Sequence, residues 1–297
     1  MSRGGSAEVL RRFRRQYIAF EMDLSVDFYG YLPSEPAALF GIVYFGTATI
    51  ACIIQIIFGN YKHYWMITLA LAAVGEAIGW GGRLWAHFAP HEWMAFMIQI
   101  CSLIISPVFI SAADYVLFCK IVEKTGPQLF HVRPRFFWIG FIVLDIISLS
   151  IQTVGGVLVS CAQSLAQLDH GSHVMRAGII FQFSNTVLFV ALLSLTIFRL
   201  RKKGMQPLSV AGWPVMLAIW VSTVMIFVRN AYRIAELSGG WNGHLMRTEW
   251  YLIAWDMVPV AVAVGAFVVF SPSFFFSDGT SDAEAKRWRM PDWIPLC

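Results

Sequence analysis

The chain has 297 residues, of which 58% are hydrophobic and only 13% charged, with a formal net charge of +4. A soluble body of that size carries about 25% charged residues to cover its surface, so a water-soluble protein, a disordered chain, a coiled coil and a nucleic-acid-binding domain are excluded. A polytopic membrane protein remains.

Ahead of any span, Leu10–Leu24 carries Leu10, Phe13, Tyr17 and Leu24 near one helical face with arginines alongside. That pattern fits an interfacial amphipathic helix or a loose tail. A crossing helix needs about 20 apolar residues, because the hydrocarbon layer is about 30 Å thick and a helix rises about 1.5 Å per residue. Seven stretches qualify in chain order: Ala37–Phe58, Trp65–Leu84, Trp93–Phe118, Phe136–Val159, Ala177–Phe198, Trp213–Ile234 and Trp250–Phe270. No alternating strand pattern is present, so the predicted fold is all-α, a bundle of seven transmembrane helices. The expected division is an N-terminal segment over residues 1–35, the membrane domain over 36–272 and a tail over 273–297.

Trp65, Trp93, Trp138, Trp213 and Trp250 open spans and Trp85 closes one, as interfacial anchors do. Orientation follows from the loops. With the N-terminus outside, the inner loops and tail hold twelve Lys and Arg, among them Lys62, Lys120, Arg133, Arg199 and Lys286, while the outer loops hold Arg176 and Arg247. The positive-inside rule therefore predicts an external N-terminus and a cytoplasmic C-terminus. The five cysteines are an odd number and suggest no disulfide framework.

The informative residues are those that lipid excludes. A central ionised group costs several kcal/mol unless paired or hydrated. Glu76, Arg83, Asp114, Asp145, Arg229, Arg233 and Asp256 fall within predicted spans and Glu236 just past the end of the sixth, joined by Gln99, Gln152, Gln182, Asn185 and Asn230. Glu76 and Arg83 are two helical turns apart, as are Asp145 and Gln152. Arg229, Arg233 and Glu236 form one stripe at i, i+4 and i+7, and Glu249 and Asp256 repeat the seven-residue step. Each stripe must turn toward the bundle interior. Arg229 and Arg233 repel as neighbours and need counter-charges, which Glu236 and an acid from another span can supply. The network is either a packing device or a polar path. Gly75 and Gly79 suit close helix approach, while Pro107 and Pro259 permit kinks.

His87, His91, His170, His173 and His244 fall at the predicted outer face, with spacings of four and three that a helical metal or haem site could use. Interfacial polarity is the ordinary explanation for them, and neither a metal nor a cofactor is assigned. There is no Gly-x4-Gly-Lys-Ser/Thr loop for a nucleotide. The seventh span has no lysine for a retinal Schiff base, and Cys119-Lys120-Ile121 stands where a rhodopsin-like receptor has Asp-Arg-Tyr.

A set of signatures in fixed order then resembles one family. These are Tyr29-Gly30-Tyr31-Leu32-Pro33-Ser34 before the first span; Glu76-x2-Gly79-x3-Arg83, with Trp80 in place of the usual tyrosine; Gln99 and Pro107 through Tyr115; Asp145 to Gln152 with Gly155-Gly156; Gly178-x3-Gln182; and Arg229-x2-Tyr232-Arg233-x2-Glu236 followed by Gly240-Trp241-x-Gly243, Glu249 and Asp256-x2-Pro259. The chain resembles the fungal RTA-like family, the lipid-translocating exporters, from about Tyr29 to Pro272. The resemblance implies a seven-helix protein of the fungal plasma membrane, with the N-terminus outside. It also implies transport or translocation of amphiphilic lipids such as sphingoid long-chain bases, resistance to toxic amphiphiles, and no enzymatic activity. The expected partner is a membrane lipid or another amphiphile. On this expectation Glu76, Asp114, Asp145 and Asp256 receive an ammonium, and Arg83, Arg229 and Arg233 hold those acids until it arrives or contact a phosphate group. A seven-helix receptor or stress sensor is the alternative, and a haem- or porphyrin-linked carrier a weaker one.

Overall fold

A computed structural model describes residues 31–58, 66–125, 134–162, 164–202, 212–239 and 243–270. The predicted amphipathic stretch Leu10–Leu24, the tail from 273, the motif residues Tyr29, Gly30, Gly240 and Trp241, the anchor Trp65 and the loop cations Lys62, Arg133 and Lys203 lie outside the described residues.

The described residues fold into helices, with no strand among them. They are α1 (Glu35–Phe58), α2 (Met66–Phe88), α3 (Trp93–Thr125), α4 (Pro134–Ser160), α5 (Leu165–Lys202), α6 (Gly212–Ser238) and α7 (Glu249–Val269). Six of the helices, all but α2, are long and apolar enough to cross a membrane. α2 is 23 residues long, but Glu76, Arg83 and four glycines dilute its apolar content. The protein is an integral membrane protein. Exposed aliphatic and aromatic side chains such as Phe40, Val43, Ile50 and Ile57 on α1 cover its outer surface.

Consecutive helices pack side by side, and α7 returns to α1, so the bundle closes. α3 sits inside, touching α2, α4, α6 and α7. Close approach depends on glycine at particular faces. A Cβ on Gly79 would stand 2.7 Å from Leu103 Cδ2, and one on Gly82 would stand 3.0 Å from the Ala95 carbonyl oxygen, so α2 presses directly on α3. At the α4–α5 seam a Cβ on Gly155 would lie 2.4 Å from the Met175 nitrogen. Gly156, its neighbour, faces open space.

Three features differ from the sequence expectation. First, α5 begins at Leu165, twelve residues before the predicted Ala177. Its first turns are polar, but Gly171 and Gly178 press on Val159 and Gln152 of α4, and Met175 and Ile179 are buried beside Leu237 of α6, so packing extends a helix that hydropathy alone ends early. His170 and His173 therefore sit on a helix, not in a loop. Second, Trp80, which the sequence shows only as the aromatic of a motif, is an interior packing residue. It is fully buried, and Gly41 of α1 makes room for it: a Cβ there would lie 2.5 Å from the indole Cγ. Third, α7 is not a uniform α-helix. Ile253–Met257 form a π turn, with the Val258 N–H bonded back to the Ile253 carbonyl. Pro259 follows at the second position of the renewed α-helix and has no N–H to contribute. The widened turn is where the ladder absorbs that loss, and π turns are frequent at functional positions.

Candidate functional site

The α6 stripe meets α7 at that π turn. Asp256, 2% exposed, is carried inward by it. Arg233 grips Asp256 with both edges of its fork: Nε donates to Oδ1 at 2.8 Å and Nη2 to Oδ2 at 2.6 Å. Its third nitrogen, Nη1, donates to Glu236 Oε2 at 2.9 Å, and the Tyr232 hydroxyl donates to Glu236 Oε1 at 3.0 Å. Arg229 Nε stands 2.9 Å from Asp256 Oδ1 as an ion pair without an aligned hydrogen bond. Its Nη2 donates to the Leu103 carbonyl of α3 and its Nη1 to Asn230 Oδ1 at 3.4 Å. Like charges one turn apart on α6 are thus tolerated because an acid from another helix stands between them.

Glu76 of α2, 1% exposed, acts electrostatically on the same group, feeling Asp256, Arg229 and Arg233. Its Oε1 is buried without a hydrogen-bond partner. Three carboxyl groups, Glu76, Glu236 and Asp256, thus share two arginines. A buried polar atom that lacks a partner costs about 1–3 kcal/mol, more if charged. Glu76 is therefore the member of this cluster open to a further donor.

A second group lies between α3, α4 and α5. Asp145 accepts from Asn185 Nδ2 at 2.6 Å and from the Tyr115 hydroxyl at 2.9 Å. The Tyr115 ring is wedged against Phe141 and Phe189. Two turns along α4, Gln152 Nε2 donates to Gln182 Oε1 of α5 at 2.9 Å. Asn230 Nδ2 donates to Thr186 Oγ1 at 3.2 Å and so ties α6 to α5 one residue beyond Asn185. Polar side chains therefore run from Asp145 across α5 and α6 toward Asp256.

Asp114 is separate from both groups, on α3 against α6, where Ser222 Oγ donates to its Oδ2 at 2.9 Å. Gln99 is buried on α3 where Gly82 of α2 approaches its backbone nitrogen.

Arg83 does not join Glu76, although both share a face of α2. Its Nη2 donates to Glu249 Oε1 at 2.7 Å and to the Tyr31 hydroxyl at 2.9 Å. The same carboxylate oxygen accepts from Ser34 N at 2.8 Å and from Ser34 Oγ at 2.9 Å. His87 Nδ1 is 2.7 Å from the Pro33 carbonyl oxygen. Residues 31–35 are thereby fastened across the ends of α2 and α7. Burial pushes the Tyr31 phenol above its usual value, and this outweighs the opposing pull of the Arg83 guanidinium.

The structure thus brings Glu76, Arg229, Arg233, Glu236 and Asp256 together. It places Asp145 and Gln152 in a neighbouring polar layer and keeps Asp114 and Arg83 apart. The expectation that the arginines hold all four acids is corrected: Arg83 binds Glu249, while Asp114 and Asp145 are held by hydroxyl and amide groups. Sequence reasoning passed over Tyr115, Ser222 and Thr186, whose hydroxyls complete these sets. The available signal for Ser222 was its place two turns before Arg229 on the same stripe. Among the described residues no three His, Cys, Asp or Glu side chains converge as metal ligands. The described cysteines, Cys52, Cys101, Cys119 and Cys161, are free thiols.

The chain is 28% identical over 284 residues to the sphingoid long-chain base transporter RSB1 of Saccharomyces cerevisiae (strain ATCC 204508 / S288c), covering 83% of this chain and 74% of that protein. It is 27% identical over 233 residues to protein RTA1 of the same strain, covering 77% and 68%. It is also 25% identical over 227 residues to protein RTM1 of Saccharomyces cerevisiae, covering 74% and 71%. No solved structure matches it. Residues 69–279 match the family described as RTA1 like protein, and they contain all the charged residues of the interior cluster. The chain belongs to the RTA1-like protein family.

Proposed function

We propose that the protein is a transporter or translocase of amphiphilic lipids, with sphingoid long-chain bases as the leading substrate class. The observation that carries this reading is the buried cluster of three carboxyl groups on two arginines, with one Glu76 oxygen unpartnered. A long-chain base offers a primary ammonium and hydroxyls on an apolar chain. Its ammonium supplies what Glu76 lacks, and its chain suits the apolar bundle around the cluster. That relatives carry the name sphingoid long-chain base transporter supports the same class.

In this reading α2 is the seventh span, its polar face covered by α1 and α3. The N-terminal segment 1–35 is outside, the tail 273–297 is cytoplasmic, and the protein resides in the plasma membrane. Glu76, Asp145 and Asp256 meet the headgroup in turn. Arg229, Arg233 and Glu236 hold Asp256 until the headgroup competes for it, and Gln99 and Gln152 line the polar layer. The Arg83–Glu249 pair closes the path at one end, and the π turn ahead of Pro259 supplies the bend. The substrate moves intact, so no catalytic residue is assigned.

The test is protein-dependent movement of labelled phytosphingosine between leaflets of reconstituted liposomes. Movement is expected with the wild-type protein and is expected to fall at least tenfold in Glu76→Gln. Movement unchanged in both Glu76→Gln and Asp145→Asn would remove the site assignment. The bidentate Arg233–Asp256 clamp across α6 and α7 also suits a receptor or stress sensor, in which it is a two-state lock. No lipid movement, together with ligand-dependent signalling in cells, would favour that second reading.

A further inference from the structure

The interior acids differ in what compensates them. Asp256 holds two arginines, Glu236 holds Arg233 and Tyr232, and Asp145 has a donor on each oxygen. Glu76 faces Arg229 and Arg233. Asp114 has none of these. It is 1% exposed, and the groups acting on it, beyond burial, are the neutral hydroxyls of Ser222 and Thr223. Its Oδ1 is buried with no partner.

The hydroxyl geometry is more specific. Ser222 donates to Asp114 Oδ2 at 2.9 Å. Thr223 Oγ1 lies 3.5 Å from the same oxygen, but its single proton goes to the Ile219 carbonyl at 2.7 Å. What Thr223 turns toward Asp114 is therefore a lone pair. A bare carboxylate there would face that lone pair, leave Oδ1 orphaned and have no cation, an arrangement that burial strongly disfavours. A proton on Oδ2 removes the lone-pair clash and the need for a counter-charge, and leaves on Oδ1 only a neutral, weaker acceptor. It is donated toward Thr223, which passes its own to Ile219, and Oδ1 becomes the carbonyl oxygen of a neutral acid. A metal cation fits poorly, because few oxygens converge: the Asp114 carboxyl and the two hydroxyls of Ser222 and Thr223.

We infer that Asp114, with Ser222 and Thr223, is an exchangeable-proton site distinct from the arginine–carboxylate cluster, and that it couples lipid movement to a proton gradient. The coupling half rests on the transport reading above; the proton site does not. The step is a simple exchange: the carboxyl O–H bond breaks, the proton leaves to water on one side, and one from the other side restores it. Ser222 is two turns, about 10 Å, from Arg229 along α6, so a shift of α6 that frees Asp256 also moves the hydroxyls away from Asp114. The titratable or charged groups on the packed elements include Tyr115 on α3, Glu76 and Arg83 on α2, Asp145 on α4, Arg229, Arg233 and Glu236 on α6, and Asp256 on α7. None of these is among the groups acting on Asp114, whereas Tyr115 itself feels the Asp114 carboxyl.

Two measurements on the full chain test this. In nanodiscs, infrared difference spectra across a pH step should contain a carboxylic-acid carbonyl band that shifts in heavy water and is lost in Asp114→Asn. In Ser222→Ala/Thr223→Val the band should persist at a shifted frequency, which guards against misfolding of the first variant. In proteoliposomes, an imposed pH gradient should change labelled phytosphingosine flux several-fold in the wild type and leave it unchanged in Asp114→Asn. Absence of the Asp114-dependent band would overturn the proton site. A flux that answers to sodium instead, or a pH response retained in Asp114→Asn, would overturn the coupling. An intact band with no wild-type flux would sink the transport reading and leave the proton site standing.

Discussion

Arg233 of α6 and Asp256 of α7 form a two-pronged ion pair, 2.8 and 2.6 Å across its two bonds, with both residues buried. Their helices pack directly, and the pair sits where α7 widens into a π turn. Fork-to-fork geometry is specific to arginine, since a lysine ammonium cannot reach both oxygens in plane.

Removing one partner leaves an uncompensated interior charge, which costs about 3–5 kcal/mol. Asp256→Asn strips the counter-charge from Arg229 as well as from Arg233, so it should be the more damaging change. Arg233→Lys should destabilise less than Arg233→Ala, because it keeps charge while losing the fork. Thermal unfolding of the purified protein in detergent, compared across the three variants, checks the order. Equal stability of Asp256→Asn and wild type would contradict it.

The fit of Trp80 against Gly41 gives a steric prediction. A methyl at residue 41 would stand 2.5 Å from the indole Cγ, with 2.6 Å to Cδ2. Neither helix backbone can yield without disturbing the α1–α2 seam. Gly41→Ala should therefore lower stability by about 1–3 kcal/mol, as overpacking does. Adding Trp80→Leu should recover part of the loss, because it removes the ring that clashes. A double-mutant cycle on melting temperature reads the coupling, and strict additivity would contradict the contact.

Adjacent glycines on α4 should behave in opposite ways. A Cβ on Gly155 meets the Met175 backbone at 2.4 and 2.7 Å, whereas one on Gly156 meets nothing within 4 Å. Gly155→Ala should separate α4 from α5 and cut the yield of folded protein. Gly156→Ala should be neutral or mildly stabilising, as a helix gains about 1 kcal/mol from that change. Detergent size-exclusion profiles of the pair give the comparison.

Tyr31 supplies a pH prediction. Its phenol lies above the ordinary 10.0, mainly through burial. A group with a raised folded value contributes stability below its unfolded value and loses it as pH rises through the folded one. The Tyr31 contribution should thus be constant at neutral pH and decline above about pH 10. Tyr31→Phe should cost about 1 kcal/mol at pH 7 through loss of the Arg83 hydrogen bond. The gap between variant and wild type should narrow in the alkaline range, as followed by thermal melts at several pH values.

The helical bundle was legible in the sequence because lipid leaves few choices. Each backbone polar group must be satisfied within its own helix, and length and apolar content then mark the spans. The same cost exposed Glu76, Arg83, Asp114, Asp145, Arg229, Arg233, Glu236 and Asp256, since a charge in a span is conspicuous by itself. Spacing of three, four and seven residues also set which of them share a face.

Partnership was not legible, because it is a property of neighbouring helices. Glu76 and Arg83 share a face of α2, yet Glu76 faces the Arg229–Arg233–Asp256 cluster and Arg83 reaches Glu249 and Tyr31 at the helix end. Whether an interior acid meets an arginine or a hydroxyl depends on helix rotation and on where glycine lets backbones touch, as at Gly82 and Gly155. The π turn that turns Asp256 inward, and the hydroxyl cage of Asp114, arise from packing between elements. A single helix carries no record of them, so the sequence determined which groups must avoid lipid, and only the tertiary structure decided what each of them meets.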